Sequence, residues 1–270
     1  MKTLFKKLAK QIDIELSNEQ INKFFTYKDL LKEWNEKINL TAIVDDEEIL
    51  LKHFIDSLTI EKYITENSSI IDVGTGAGFP GIPLKIVRED IELTLLDSLN
   101  KRINFLNEVI DANNLKNVCC IHGRAEDVSR ETSMRESFDY ATARAVANLS
   151  TLSELCLPFV KVGGKFICMK GNNIDEVEEA KRAIEVLGGK MVNIEKLLLP
   201  NSDIERNIII IEKVKQTPKQ YPRKAGTPAK EPIKWKCFTW NNYRLNNFRQ
   251  SYSCLFLKNE QKCDCRKLFG

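Results

Sequence analysis

The sequence predicts an α/β protein: a doubly wound, mainly parallel sheet of Rossmann-like type, with a helical N-terminal extension and an antiparallel edge hairpin. Three observations predict it. From residue 69 onward, strand-like apolar runs alternate with helical stretches, the pattern of a parallel sheet covered on both faces. Before them, residues 1–67 carry helical spacing instead. After them, two strand-like runs follow each other with no helix between, which suits an antiparallel pair at the sheet edge.

The elements can be justified in order. Ser17-Asn-Glu-Gln20 reads as a capping box. Behind it Ile21, Phe24, Phe25, Leu31 and Trp34 recur at helical spacing. Their aromatics are expected in a core. A second helix is predicted over "DDEEILLKHFIDSL" (45–58), with acids in its first turn where the helix dipole favours them. The predicted strands are Ser69–Val73, Glu92–Asp97, Val118–His122, Phe138–Ala143 and Lys165–Lys170. Helices are predicted over Pro80–Arg88, Lys101–Asn113 and Leu149–Phe159, and a long one over "NIDEVEEAKRAIEVLGG", stopped by its glycines. The closing pair of strands is "KMVNIEKLLL" and "RNIIIIEKV". Residues 215–233 hold four prolines and one glycine, so an extended segment is expected, without helix or strand.

Bulk properties bound the function. Hydrophobic residues make up 43% and charged residues 29% of the 270 residues, ordinary for a globular protein. No apolar run reaches the roughly 18 residues of a membrane span, and the basic N-terminus lacks a signal-type apolar core. The expected address is the cytoplasm, and the expected state a monomer with reduced thiols. The net charge of +3 is uneven. Residues 234–270 hold eight Lys/Arg and two Asp/Glu, which leaves the rest at −3. Nucleic acid would therefore meet a local basic patch. The predicted divisions are a helical extension (1–67), a core (68–214), a basic Pro-rich segment (215–233) and a tail (234–270).

The most informative stretch is "IIDVGTGAGFPGIPL" (70–84), with four glycines in eight positions. Gly76-Ala-Gly78-Phe-Pro-Gly81 satisfies the dinucleotide fingerprint, and Asp97 stands 21 residues after Gly76, where a ribose-binding acid sits. Another register is Asp72-x-Gly74-x-Gly76-x-Gly78. A carboxylate at the strand end repels a pyrophosphate, which prefers backbone N–H groups. It favours the ammonium and sulfonium of S-adenosylmethionine. The charge of Asp72 thus points to the methyl donor. The glycines let backbone approach the ligand, and Asp97 is expected to accept from the ribose hydroxyls. The fold then reads as a Rossmann-like S-adenosylmethionine-dependent methyltransferase sheet.

The fourth strand runs into "FDYATARAVANL", with no Asn-Pro-Pro-Tyr loop of the kind used on exocyclic amines. Attack at pyrimidine carbon 5 needs a cysteine nucleophile. Cys156 lies in a predicted helix and Cys119, Cys120 and Cys168 on apolar strands, so all four are expected in the core. An acceptor with a lone pair and no proton to lose, such as guanine N7 or adenine N1, needs neither device. Alignment supplies most of such catalysis, and no general base or covalent nucleophile is expected. Histidines 53 and 122 have no ligand-spaced partners, so no metal is expected. Both read as packing or structural residues, His53 with Asp56 and Ser57 as its neighbours in a second reading that supports the site.

The segments "NLTAI" (39–43), "HFIDSL" (53–58), "DVGTGAGFPGIPLKI" (72–86), "GRAEDV" (123–128), "ARAVANL" (143–149), "MKG" (169–171) and "YPRKAGTPAKEPI" (221–233) together carry a resemblance. The chain resembles the bacterial small-subunit (16S) ribosomal RNA guanine-N7 methyltransferase family, also called glucose-inhibited division protein B, from near its start to about Ile233. The resemblance implies methyl transfer to N7 of a guanine in 16S ribosomal RNA, free or in the small subunit. It implies donor contacts at Gly74, Phe79, Ala125 and Glu126, and Arg144 close to the transfer point. Asp72, Gly76, Gly78 and Asp97 complete the expected donor set. Expected RNA contacts are Lys170, Arg206, Arg223, Lys224 and Lys230, which give affinity and not sequence choice. Two rival readings stand beside it: an NAD-dependent oxidoreductase, and a non-catalytic ribosome-assembly factor on the same fold.

Residues 234–270 depart from the family pattern. Four of the eight cysteines and two of the three tryptophans fall there. The tail is expected to be disordered, without selected structure. Rival readings are a basic aromatic RNA arm and a metal site at Cys237, Cys254, Cys263 and Cys265, whose spacing lacks a C-x-x-C pair.

Overall fold

The computed structural model describes residues 1–144, 147–172 and 176–234. These belong to one compact unit, Met1–Trp235; a second unit, Lys236–Gly270, and the expectations placed on it lie outside the described residues.

Two helices open the chain, α1 (Lys2–Lys10) and α2 (Asn18–Ile38). The capping box forms: Gln20 N donates to Ser17 Oγ at 3.1 Å, and Ser17 N donates to Gln20 Oε1 at 2.9 Å. The helix predicted over 45–58 is present but not uniform. It runs as α3 (Asp46–Ile49), a π-helical stretch (Leu50–Ile55) and α4 (Asp56–Leu58). A π turn holds an extra residue, which loosens the carbonyl ladder and often marks a functional site.

The sheet region contains β1 (Ser69–Val73), α5 (Gly81–Val87), β2 (Glu92–Asp97), α6 (Asn100–Ala112), β3 (Val118–His122), α7 (Ala125–Val128) and β4 (Phe138–Arg144). It continues through α8 (Leu149–Cys156), β5 (Val160–Lys170), α9 (Glu176–Val186), β6 (Gly189–Leu198) and β7 (Glu205–Lys213). The strand order is β3-β2-β1-β4-β5-β7-β6. The first five strands are parallel, and β7 is antiparallel to both β5 and β6.

Alternation with period two splits the sheet's apolar residues between two cores. Ile70, Leu93, Leu95, Ile208 and Ile210 join the N-terminal helices, α5 and α6 on one face. Ile71, Leu96, Ile209 and Ile211 join α8 and α9 on the other. Central strands covered on both faces therefore read as continuous apolar runs. The N-terminal helices share a core with the sheet: Phe5, Phe24, Tyr27 and Phe54 are fully buried there and their rings touch.

Three local expectations are corrected. Strand β5 starts at Val160, ahead of the predicted Lys165, because Val160 pairs with Phe138 before a register shift restores pairing at Tyr140 and Lys165. Cys119 is exposed, not in the core, because β3 is an edge strand. Residues 215–233 contain one helical turn, α10 (Thr227–Lys230), entered through Gly226 at φ +81°. No described helix is long and apolar enough to cross a membrane.

Candidate functional site

The order in which strands are added to the sheet reverses between the parallel strands β1 and β4, and ligands of such sheets bind outside the carboxyl ends of the strands at that point. Asp72 pairs with Thr142, so Gly74 and Arg144 each stand two residues past the same rung. Each of them lines a cavity.

The first cavity measures about 240 Å³ and is lined by Gly74, Asp97, Ala125 and Glu126, among others. Gly74 has φ +70° and open space where a side chain would begin, so its backbone is bare toward the cavity. Gly76 and Gly78 also have positive φ but serve the loop differently. Gly76 N donates to Asp97 Oδ2 at 2.9 Å. A Cβ on Gly78 would stand 2.8 Å from Ile82 and from Tyr27 Oη, and 2.9 Å from Leu106.

Asp72 is fully buried beneath this loop. Its Oδ2 accepts from Thr75 Oγ1 at 2.7 Å and Gly81 N at 2.9 Å, while Oδ1 has no partner among the described residues. Burial pushes its carboxyl up to about 6, against the pull of the Thr75 and Gly81 hydrogen bonds and the Arg144 charge. Asp72 thus braces the loop and projects its charge from beneath. Asp97, at the end of β2, accepts from Gly76 N, from Leu99 N at 2.9 Å and from Arg102 Nη1 at 3.2 Å. A carboxylate has about four acceptor positions, so about one is left for a ligand hydroxyl. Glu126 lines the cavity and its Oε1 accepts from Gly226 N at 2.9 Å, which ties the Pro-rich segment to the cavity wall. An adenosine-type ligand with a positive sulfur fits these donor and acceptor groups.

The second cavity measures about 380 Å³, and its walls include His53, Asp56, Arg144, Lys170 and Arg206. Arg144, grouped by the sequence with the donor contacts, lines this cavity. Its Nη1 donates to the carbonyl of Lys52 at 3.1 Å and to Asp56 Oδ2 at 3.4 Å. Lys52 and His53 both lie in the π-helical stretch, whose loosened ladder leaves carbonyls for the guanidinium. Arg144 Nη2 donates to His53 Nδ1 at 3.2 Å. Because arginine only donates, His53 Nδ1 accepts, and the neutral ring's Nε2–H then donates to Thr41 Oγ1 at 2.8 Å. Burial, then the Arg144 charge, pushes His53 down to about 3, so the ring is neutral. Phe79 is buried and its ring stacks on His53, with centroids 4.5 Å apart and planes 19° apart. The Arg144 guanidinium carbon lies 4.6 Å from the same ring centroid, a cation–π contact. Burial lowers the pKa of Arg144 while Asp56 raises it, and the group stays charged.

The expected RNA contacts divide. Lys170 pairs with Glu176 at 2.7 Å and also donates to the Ala147 carbonyl. Arg206 Nε donates to both oxygens of Asp56, each at 3.0 Å. Both line the second cavity. Arg223 instead meets the buried Glu154, a partner the sequence does not show. Lys224 and Lys230 are exposed. Cys156 and Cys168 are buried, and burial pushes both thiols up, so neither is a thiolate. His122 is exposed, with Nε2 3.1 Å from the Ser98 carbonyl. No cluster of metal-ligating side chains occurs among the described residues.

Thr41 and Glu154 carry no signal by residue type, and Asp56 enters the sequence reading only as a neighbour of His53. Thr41 and Asp56 do fall within "NLTAI" and "HFIDSL", the two N-terminal segments of the resemblance.

Comparison with known proteins identifies the family. A family model for rRNA small subunit methyltransferase G (GidB) matches residues 20–209. The ribosomal RNA small subunit methyltransferase G of Acetivibrio thermocellus is 58% identical over 226 residues, covering 83% of this chain and 93% of that protein. The protein of the same name from Clostridium perfringens strain 13 is 55% identical over 234 residues, covering 86% of this chain and 98% of that one. Among solved structures, a chain of the complex between the Haloferax volcanii Trm112 methyltransferase activator and a methyltransferase shares the fold. Its TM-score is 0.51 at 12% identity, covering 68% of this chain and 98% of that chain.

Proposed function

The chain belongs to the rRNA small subunit methyltransferase G (GidB) family, and from that premise we propose that it moves the methyl group of S-adenosylmethionine to N7 of a guanine in 16S ribosomal RNA. The observation that carries the reading is the pair of cavities on either side of the β1–β4 switch point, one with an acid and bare glycine backbone, the other lined by cations. The oxidoreductase reading of the glycine loop is set aside, since the family is one of methyltransferases.

When bound, the donor supplies an electrophilic methyl group on a positive sulfur. The chain's own residues do the rest. Gly74 offers backbone, Asp97 accepts from a ribose hydroxyl, and Ala125 and Glu126 wall the adenine end. Asp72, Gly76 and Gly78 hold the loop in shape. Phe79 seats the Arg144 and His53 pair on the acceptor side. Guanine N7 has a lone pair and no proton, so no residue need act as a base. The protein's contribution is alignment and exclusion of water. The neutral His53 is unsuited to proton transfer near pH 7, in keeping with this chemistry. Lys170 and Arg206 at the cavity, with Lys224 and Lys230 outside it, are the RNA contacts. Arg223 anchors the segment that presents the outer pair. The working state is a cytoplasmic monomer.

The test is to map 7-methylguanine in the host's small-subunit RNA with and without this gene, by reduction and strand scission. One scission site that vanishes in the deletion strain is expected. Full scission in the deletion strain overturns the reading. Purified protein that binds the donor but labels neither free RNA nor small subunits points to an assembly role.

A further inference from the structure

Among the described residues lining the second cavity, Asp56 is the one carboxylate. Its side chain is 3% exposed, and two guanidiniums from distant strands converge on it. Arg206 Nε reaches both carboxylate oxygens at 3.0 Å, and Arg144 Nη1 reaches Oδ2 at 3.4 Å. Arg144 ends β4 and Arg206 lies on β7, with β5 between them. Asp56 comes from α4, directly after the π-helical stretch.

Two like charges at one cavity wall repel each other. A buried carboxylate between them removes that repulsion and fixes their angles, because each nitrogen must aim at an oxygen. The pairing spends the two arginines unequally. Arg144 engages both of its terminal nitrogens, Nη1 on carbonyls and Asp56 and Nη2 on His53. Arg206 uses Nε on Asp56 and Nη1 on the Glu205 carbonyl, and its Nη2 makes no hydrogen bond among the described residues. A donor nitrogen is thus held at the cavity wall with no partner among the described residues.

We propose that Asp56 is a positioning residue for methyl transfer: it clamps Arg144 and Arg206 so that the free edge of Arg206 meets an acceptor oxygen of the incoming guanosine nucleotide. The inference rests on the methyl-transfer reading above. Asp56 acts through the arginines and touches no reacting atom.

Steady-state kinetics on small-subunit RNA test it, beside calorimetry with S-adenosylhomocysteine. Asp56→Asn keeps the shape and loses the charge. Its kcat/KM for RNA is expected to fall roughly 100-fold, the loss that ångström-scale misplacement of a positioned group brings. Affinity for S-adenosylhomocysteine is expected to stay within about twofold, the range for a site that is not coupled. The pair Asp56→Asn with Arg206→Gln removes the carboxylate together with the arginine it grips most closely, and urea unfolding of each variant separates loss of fold from loss of rate. Its loss should match that of the worse single variant, because the two residues act as a unit. Losses that multiply, an unchanged kcat/KM, or an equal loss of donor affinity would each overturn the assignment. Wild-type protein that transfers no labelled methyl to small-subunit RNA overturns both this inference and its parent.

Discussion

Glu154 is fully buried in α8, and Arg223, 69 positions later, closes a fork over its carboxylate. Arg223 Nε donates to Oε1 at 2.9 Å and Nη2 to Oε2 at 2.6 Å, and its backbone N–H adds a third bond at 2.8 Å. Around this point Thr151 Oγ1 donates to the Pro228 carbonyl at 2.9 Å, and Arg130 donates to the Pro222 carbonyl. A segment read as a basic RNA track is therefore strapped to the core.

Arg223 and Lys224 are neighbours with opposite tasks, and substitution should separate them. Arg223→Ala leaves the buried Glu154 carboxylate without its counter-charge, keeping only the backbone N–H bond, which costs about 3 kcal/mol or more in stability. Urea unfolding at neutral pH reads this directly. Lys224→Ala, at an exposed side chain, should leave the unfolding midpoint in place and weaken RNA binding in a salt-dependent way. A stable Arg223→Ala protein with weakened RNA binding would reverse the assignment.

Gly74 and Gly78 share the glycine loop but fail differently. At φ +70° a β-branched side chain is strained by about 1–3 kcal/mol. It also enters the cavity that Gly74 leaves open. Gly74→Val should abolish S-adenosylhomocysteine binding in calorimetry and lower thermal stability modestly. Gly78→Ala drives a methyl into Ile82, Leu106 and Tyr27. Its main effect should be on the melting temperature, with donor binding weakened only as the loop shifts. Equal donor affinity in Gly74→Val and the wild type would contradict the site.

The alternation of strands and helices was legible because the central strands are buried on both faces and the helices on one. The glycine loop was legible too, since positive φ favours glycine. Pairings across long sequence distances were not. Nothing in the local pattern of Arg206 or Arg223 marks Asp56 or Glu154 as its partner, because an ion pair has no period. Nor does Cys119, an apolar residue type in an apolar run, announce that β3 is the outermost strand; strand order is set by tertiary packing. The π-helical stretch was invisible for a related reason. "LLKHFI" has ordinary helical composition, and the extra residue in the turn accompanies carbonyls that meet Arg144, 91 positions beyond His53.

Cys156 offers a test of the mechanism. Its thiol is fully buried, and burial holds it well above the ordinary cysteine range. A covalent route needs a thiolate. Cys156→Ala should therefore retain methyl transfer to small-subunit RNA, with a stability cost of about 1 kcal/mol for the small cavity left behind. Single-turnover assays separate the two effects. A large loss of rate in a protein that remains folded would revive a cysteine nucleophile.

Asp72 makes stability and donor binding depend on pH in opposite directions. Its carboxyl stands at about 6 in the folded protein, raised mainly by burial, against about 3.9 for an unperturbed aspartate. Between those values the folded state holds the proton more tightly than the unfolded state. Stability from this group is therefore present below about pH 4 and is lost as pH rises through about 6. Asp72→Asn lacks that loss. The stability of the variant relative to wild type should climb by up to about 3 kcal/mol across this window. Donor binding should run the other way in the wild type. A positive sulfonium favours the ionised carboxylate, so S-adenosylmethionine should bind more tightly at about pH 7.5 than at about pH 5. The uncharged sulfur of S-adenosylhomocysteine should show a smaller change, and Asp72→Asn should flatten the profile of both. Calorimetry at the two pH values gives the comparison. A wild-type profile as flat as that of Asp72→Asn would mean that the buried carboxylate shapes the loop without sensing the ligand's charge.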